Sequence, residues 1–371
     1  MKSNFFDRFL IPFLCVLTNA MILKKTNPLY IITLSALLCF NLKAQKKDTI
    51  TIIGVGDIMM GSNYPTHDLP PNDGLNLMKE VEPILSNADI TFGNLEGVLL
   101  DEGGTAKTCK NPSVCYTFRS PERYVQNLVN AGFDLMSLAN NHAGDFGAIG
   151  RKSSINALEG AGIRYAGLTT NPYTVFEKDG VRYGFTAFAP NSGCLSLNDI
   201  QAARKIVSLL NSLADIVIVS FHGGAEGPQH QHVPRKNEIF YGEIRGNVYA
   251  FAHAMVDEGA DILFGHGPHV TRAIEIYKNR FITYSMGNFC TYGGINVAGI
   301  NGWAPIIKVY TNSTGSFLKA HITSTFQTPR SPVKIDSENK VLKRIEELTK
   351  QDFPDSPVKI SENGWVKKST N

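Results

Sequence analysis

From Thr49 onward, short β-branched apolar runs alternate with stretches whose apolar residues recur at helical spacing. Strands are predicted at Thr49–Val55, Asp89–Phe92, Phe133–Leu138, Ile216–Phe221, Ile262–Phe264 and Ile282–Tyr284. Further strands are expected over Val181–Ala189, Arg272–Tyr277 and Pro305–Tyr310, several of them joined by short turns, which suggests a second sheet. Helices are predicted between these runs at Leu75–Leu85, Pro121–Ala131, Ile149–Ala161, Ile200–Leu213 and Glu238–Glu258. This alternation argues for an α/β fold with helices packed on sheets. Most of the strands end in Asp, Asn, Glu or His, at the carboxyl edge where open α/β sheets place their ligands.

The pattern differs at both ends. Two apolar stretches, Phe9–Leu23 and Leu29–Leu42, each fall short of the roughly 18 residues a spanning helix needs. From Met21 the order is that of a signal peptide, with Lys24 and Lys25, then apolar Tyr30–Phe40, then Leu42-Lys43-Ala44 before Gln45. The expectation is a leader over residues 1–44, with Met21 as the true start and an uncleaved anchor as the alternative. Export to the periplasm or cell envelope follows, with membrane anchoring if the leader stays. The main domain is expected over 45–328. From Pro329 the composition turns to Pro, Ser, Lys and Glu, which reads as an appendage or tail over 329–371 apart from a helical piece at Lys340–Thr349.

Charge changes the picture only by subtraction. The net charge of +3 includes Lys2, Arg8, Lys24, Lys25 and Lys43 against Asp7, and without them 31 basic and 32 acidic residues leave −1. No broad basic field remains for nucleic acid. Cys109, Cys115, Cys194 and Cys290 lie beyond the leader without CxxC spacing, so neither a zinc ribbon nor a thioredoxin-like site is indicated. Cys109 and Cys115 either close a short disulfide loop outside the cytoplasm or stay as free thiols.

Five segments carry candidate chemistry: Asp57 in GVGDIMMG, Asn94 and Glu96 in FGNLEG, Asn140, Asn141 and His142 in LANNHAGDFG, His222 in FHGGAEG, and His266 and His269 in GHGPHV. Carboxylate, amide oxygen and imidazole are together the ligand types of hard and borderline divalent metals. The glycines around them let backbone turn sharply and approach a bound anion. A divalent metal site is therefore expected, for one or two ions whose identity among Mn, Zn and Fe these residues leave open.

In this order the motifs, with Ser-Met-Gly-Asn-Phe at 285–289, resemble the CapA family of poly-γ-glutamate capsule biosynthesis proteins, which is similar to calcineurin-like metallophosphoesterases. The resemblance runs from about Thr49 to about Ser324. It implies a four-layer α/β sandwich, two mixed sheets flanked by helices. It also implies metal ligation by Asp57, Asn141, His222, His266 and His269, with His142 as general acid or oxyanion donor. The phosphoesterase first motif is Asp-x-His, yet Met59 stands at its third position, and its second-motif Asp is replaced by Asn94 and Glu96. Glu96 is the expected substitute carboxylate, since Gly93 and Gly97 let its loop turn inward. Asp145 is expected either to orient His142 or to cap the helix near Ala148; Glu226 is expected to touch metal, substrate or only a backbone amide, and Asn288 to stand in the pocket wall. Arg119 and Arg235 are candidate anion clamps, and His230, His232, His253 and His321 read as structural or exposed.

The functional expectation is an exported metal-dependent hydrolase acting on a phosphoester, or on a γ-glutamyl or related bond, of an anionic cell-surface polymer, in company with capsule export components. The alternative is a non-catalytic accessory protein that binds such a polymer and helps export or anchor it.

Overall fold

The computed structural model describes residues 47–109 and 115–369. The expected leader over 1–44 lies outside the described residues. Among the described residues, no helix is long and apolar enough to cross a membrane.

Two mixed sheets face each other. In the larger, the strand order is Val358–Ile360, Trp365–Lys368, Phe317–Phe326, Trp303–Asn312, Thr49–Met59, Ile90–Leu95, Leu135–Ser137 and Arg164–Ala166. Asn288–Thr291 adds beside Thr49–Met59, and Lys334–Ile335 beside Phe317–Phe326. The smaller sheet runs Ile274–Tyr277, Arg280–Thr283, Ile262–His266, Ile216–His222, Val181–Phe188 and Tyr173–Lys178. Parallel strands buried on both faces read as continuous apolar runs, as IVIVSF does here. Aromatic rings join the sheets: Phe92 of the larger stacks on Phe264 of the smaller at 5.1 Å and meets Phe185 at 5.5 Å.

Helices Ile200–Leu213 and Val248–Asp257 share an apolar core with strands of the smaller sheet, through Val207, Leu210, Phe251 and Met255 against Val217, Val219 and Leu263. Val125–Ala131 and Gly147–Gly160 place Leu128 and Leu158 in the core of the larger. The mixed α/β sandwich expected from the sequence is thus the fold.

Three stretches differ from the sequence expectation. Of Leu75–Leu85 only Glu82–Leu85 is helical, because Pro83 has no N–H to give and belongs in a first turn. Glu238–Glu258 divides into a hairpin, Glu238–Phe240 against Glu243–Gly246, and the helix Val248–Asp257. Tyr241 and Gly242 both take positive φ, the two-residue turn that suits paired strands, and Asn247 then caps the helix by accepting from the Ala250 N–H. Residues 329–369 are not a loose tail. Helix Lys340–Asp352 buries Val341, Leu342, Ile345 and Leu348, and Trp365–Lys368 extends the larger sheet. The helical stripe was legible, but the polar residues between its apolar positions masked how deeply that stripe is covered.

Candidate metal centre

Two rows of residues meet where the sheets present their carboxyl ends. In the larger sheet Asp57 is in register with Asn94 on one side and Asn288 on the other. In the smaller, His266 is in register with His222. The rows touch across the gap, with His266 Nδ1 3.1 Å from Asp57 Oδ1. Such close packing needs glycine beside the ligands: a Cβ on Gly56 would lie 2.1 Å from the Gly287 carbonyl oxygen, and Gly287 O is what accepts the Asp57 N–H at 2.9 Å.

Asp57, Glu96 and His222 each offer an atom within 4.8 Å of the others, all three side chains being buried. Glu96 stands one residue beyond its strand, where Gly97 at φ 138° turns the chain. His269 closes the group from a loop, its Nδ1 3.3 Å from Asp57 Oδ2 and its Nε2 3.5 Å from Glu96 Oε1. At φ 56° His269 holds a left-handed backbone that only a few per cent of non-glycine residues adopt. Asn288 keeps it there, its Oδ1 2.9 Å from His269 Nδ1 and its amide nitrogen donating to the His269 carbonyl at 3.2 Å.

The same cluster holds buried polar atoms that no hydrogen bond satisfies, Asp57 Oδ2, both Glu96 oxygens, both His222 nitrogens and His266 Nε2, and the Asn141 Oδ1 is likewise unpaired. A buried polar atom left unpaired costs about 1–3 kcal/mol, so six on the grouped side chains point to a common partner. Carboxylate, amide oxygen and imidazole fit a divalent cation. The buried Asp, Glu and His group is therefore suited to metal.

Electrostatics agree. Burial works to raise the Asp57 carboxyl, but the His266 and His269 imidazoles beside it prevail and hold it well below its usual range. Burial, with the Asp57 charge beside it, pushes Glu96 well above the usual carboxylate range. Burial likewise drives His222 well below the ordinary imidazole value. On His269 burial lowers and the carboxylates of Glu96 and Asp57 raise; the carboxylates win, leaving it well above.

The remaining residues support this group. Asn94 donates to Asp57 Oδ1 at 2.8 Å and accepts from Asn140 at 3.0 Å, so both amides fix the carboxylate. Asn140 Oδ1 also accepts the His142 N–H at 3.0 Å. His142 Nδ1 lies 2.8 Å from Asp145 Oδ2, which also takes the Phe118 N–H at 2.6 Å. Asp145 thus engages His142, and no side chain caps the helix that begins at Gly147. Burial brings His142 below its ordinary value despite Asp145. Glu226 accepts from Arg245 Nη1 at 2.8 Å.

Met59, standing where the phosphoesterase pattern has His, turns its sulfur to the Gly61 N–H at 3.3 Å. Arg119 is occupied by Asn63 at 2.6 Å and lies 5.1 Å from the Phe146 ring, while Arg235 lies 4.7 Å from the Tyr249 ring. His232 pairs with Asp352, His253 with Glu275, and His321 with the Asn363 carbonyl, as structural residues would; His230 packs edge-on to Phe240.

Two residues near the centre escaped the sequence reading. Lys107 pairs with Asp145 Oδ1 at 2.6 Å and donates to the Asn141 carbonyl at 3.3 Å. Arg245 is buried in the hairpin, with Glu226 as partner. Neither has a local signal, since partners 38 and 19 residues away are set only by the fold. A disulfide does join Cys109 to Cys115, six residues apart and two beyond Lys107.

Fold and centre together define a two-sheet α/β protein with a buried carboxylate and imidazole group that could hold a metal ion. Comparison with known families goes further. The profile of "Bacterial capsule synthesis protein PGA_cap" matches residues 51–292, and the chain belongs to that family. Capsule biosynthesis protein CapA of Bacillus anthracis is 32% identical over 303 residues, covering 72% of this chain and 69% of that protein. PGA biosynthesis protein CapA of Bacillus subtilis strain 168 is 29% identical over 333 residues, covering 83% and 80%. Among solved structures, a putative 5'-nucleotidase from Staphylococcus aureus matches at 16% identity and TM-score 0.45, over 81% of this chain and 58% of that one. A purple acid phosphatase from yellow lupin matches at 12% identity and TM-score 0.37, over 78% and 54%.

Proposed function

We propose that this chain is an exported, metal-dependent hydrolase that cuts a phosphoester, or a γ-glutamyl or related bond, in an anionic cell-surface polymer during capsule synthesis. The observation that carries this reading is the cluster of unsatisfied ligand atoms on Asp57, Glu96, His222 and His266. Membership of a capsule-synthesis family supplies the polymer. The leader pattern and the Cys109–Cys115 disulfide support export, because disulfides persist in oxidising compartments.

Asp57, Glu96, Asn141, His222, His266 and His269 would hold one or two ions of Mn, Zn or Fe. A divalent ion bound there supplies Lewis acidity toward a phosphoryl or acyl oxygen and makes water more acidic. The chain supplies the rest. Asn94 and Asn140 fix Asp57, and Asn288 fixes His269, so the ligands are set before substrate arrives. Asp145 receives the Nδ1 hydrogen of His142, with Lys107 balancing the carboxylate. That tautomer, assigned from the partners around the ring, leaves Nε2 to exchange a proton with a substrate oxygen.

The test begins with a hydrolysis screen over phosphomonoesters, phosphodiesters, nucleotides and γ-glutamyl peptides, in Mn²⁺, Zn²⁺ or Fe²⁺ and with chelator. On the substrate found, His142→Ala should keep most bound metal and lose about 10²-fold or more in turnover, the scale of a positioned acid or base. Asp57→Asn and His222→Ala should lose metal and turnover together. A His142→Ala protein as depleted of metal as His222→Ala overturns the division of roles. Polymer bound without turnover under every metal leaves a binding protein instead.

A further inference from the structure

Two residues, one on each side of the Cys109–Cys115 disulfide, grip the loop that carries Asn141, His142 and Asp145. Lys107 holds it from one side: its ammonium is 2.6 Å from Asp145 Oδ1 and donates to the Asn141 carbonyl at 3.3 Å, and its backbone N–H donates to the Asp145 carbonyl at 2.8 Å. Phe118 holds it from the other. Its N–H donates to Asp145 Oδ2 at 2.6 Å, and its ring lies 4.2 Å from the His142 ring, tilted by 32°. Asp145 is wholly buried and its Oδ2 also engages His142 Nδ1, so whatever moves this carboxylate turns the imidazole.

The two grips are not equally secure. Phe118 runs straight into Arg119–Ser120, which pairs with Val98–Leu99, and its carbonyl accepts the Val98 N–H at 3.3 Å. Lys107 has no such support, since residues 101–109 form neither helix nor strand and its side chain is 26% exposed. An ion pair on a long, partly exposed side chain is worth little once the loss of rotamer freedom is counted. The disulfide supplies what the ion pair lacks. It stands two residues after Lys107 and three before Phe118, and so ties the loose grip to the fixed one. A bridge of this kind acts by removing the open arrangements of the chain it closes.

We infer that Lys107 and Phe118 are positioning residues for His142, held in place by the Cys109–Cys115 disulfide, so that the centre is fully competent only in its oxidised form. The inference deepens the proposed function and takes from it only that His142 exchanges a proton with substrate. Closure is thiol–disulfide exchange with a disulfide donor of an oxidising compartment: the two thiols give up two electrons and two protons, the Sγ–Sγ bond forms, and the donor leaves as a dithiol. Both cysteines are half-buried, within reach of small thiols, whereas the free Cys194 and Cys290 are buried. In a reducing compartment the bridge opens, Lys107 separates from Asp145, and His142 loses its orientation. The group of Asp57, Glu96 and His222 draws no hydrogen bond from Lys107 or Phe118 and keeps its place.

The full chain is compared before and after reduction with dithiothreitol, which closes to its cyclic disulfide as the bridge opens, and thiol titration should count two more thiols per chain. Hydrogen exchange read by mass spectrometry should then be faster over 105–109, 116–120 and 140–146, with Ile216–His222 and Ile262–His266 as protected as before. On the substrate found, reduction should lower kcat about tenfold or more, the scale on which a misplaced group acts, with KM and metal per chain unchanged. Oxidised glutathione should restore both protection and turnover. Lys107→Met should lower kcat in the same way, and reduction should then add little, because the two changes break one connection. The variant Cys109→Ser, Cys115→Ser should behave as the reduced chain and ignore dithiothreitol; it carries the same comparison if the bridge resists reduction. The inference is overturned by an opened bridge that leaves exchange over those residues or kcat unchanged, by protection lost across all strands, or by activity that falls through KM or metal loss. Faster exchange with turnover absent in both states counts against the proposed function alone.

Discussion

Glu96 is the residue whose surroundings ask most of it. Its carboxylate is buried beside Asp57, accepts no hydrogen bond, and holds its proton well above the usual range; His269, across from it, also holds its proton more tightly than an ordinary imidazole. A cation needs both groups deprotonated, so metal and protons compete for the same atoms. Raised values mean that protons leave only at higher pH, and metal affinity should therefore rise with pH. Calorimetric titration of metal-free protein in buffers of different ionisation enthalpy should show net proton release; uptake without release would contradict the assigned environments. Residues such as Asp57, Glu96 and His222 were legible because glycines flank them at strand ends. Lys107 and Arg245 were not, because a salt bridge to a distant segment leaves no trace in local pattern.

The hairpin Glu238–Gly246 shows what an element can hide. Its base is tied by Arg272, buried in full, whose guanidinium meets Glu238 Oε1 at 2.9 Å and Oε2 at 2.7 Å and also donates to the carbonyls of Ala225 and His230. Those carbonyls belong to the loop that follows His222, so one ion pair joins hairpin and loop. Breaking a buried pair from one side costs about 3–5 kcal/mol, because the other charge stays behind. Glu238→Ala should lose stability on that scale in denaturant unfolding, with faster hydrogen exchange over residues 223–246. A loss below about 1 kcal/mol, the range of exposed pairs, would show that the tie is not needed. From sequence this stretch read as helix because Ile239, Phe240 and Ile244 fall at compatible spacing; the Tyr241-Gly242 turn decided otherwise.

For the whole molecule, periodicity gave the alternation of layers and most of the central strands. Edges were harder. Tyr173–Lys178 is half exposed along its length, and Phe317–Phe326 mixes Lys, His and Thr with its apolar residues, so neither stands out as a run. The C-terminal segment was misjudged for the same reason. Leu342, Ile345 and Val341 enter the core of the larger sheet and Leu348 that of the helices on the smaller, each such side chain contributing about 1.5–3 kcal/mol. A chain ending at Thr328 should therefore lose cooperative thermal unfolding and near-ultraviolet circular dichroism. A truncated protein that melts like the full one would show that the rest of the fold does not need this segment.

The contact between His266 and Asp57 joins positions 209 residues apart in the chain. Loop closure of that length is entropically late in folding, since local contacts form before distant ones repay their cost. No chain emerging from a ribosome contains the whole candidate ligand set until His269 has passed. The centre would thus act as an inspection mark on the finished product: a cation held by these residues would be captured only by a chain whose two sheets have already closed.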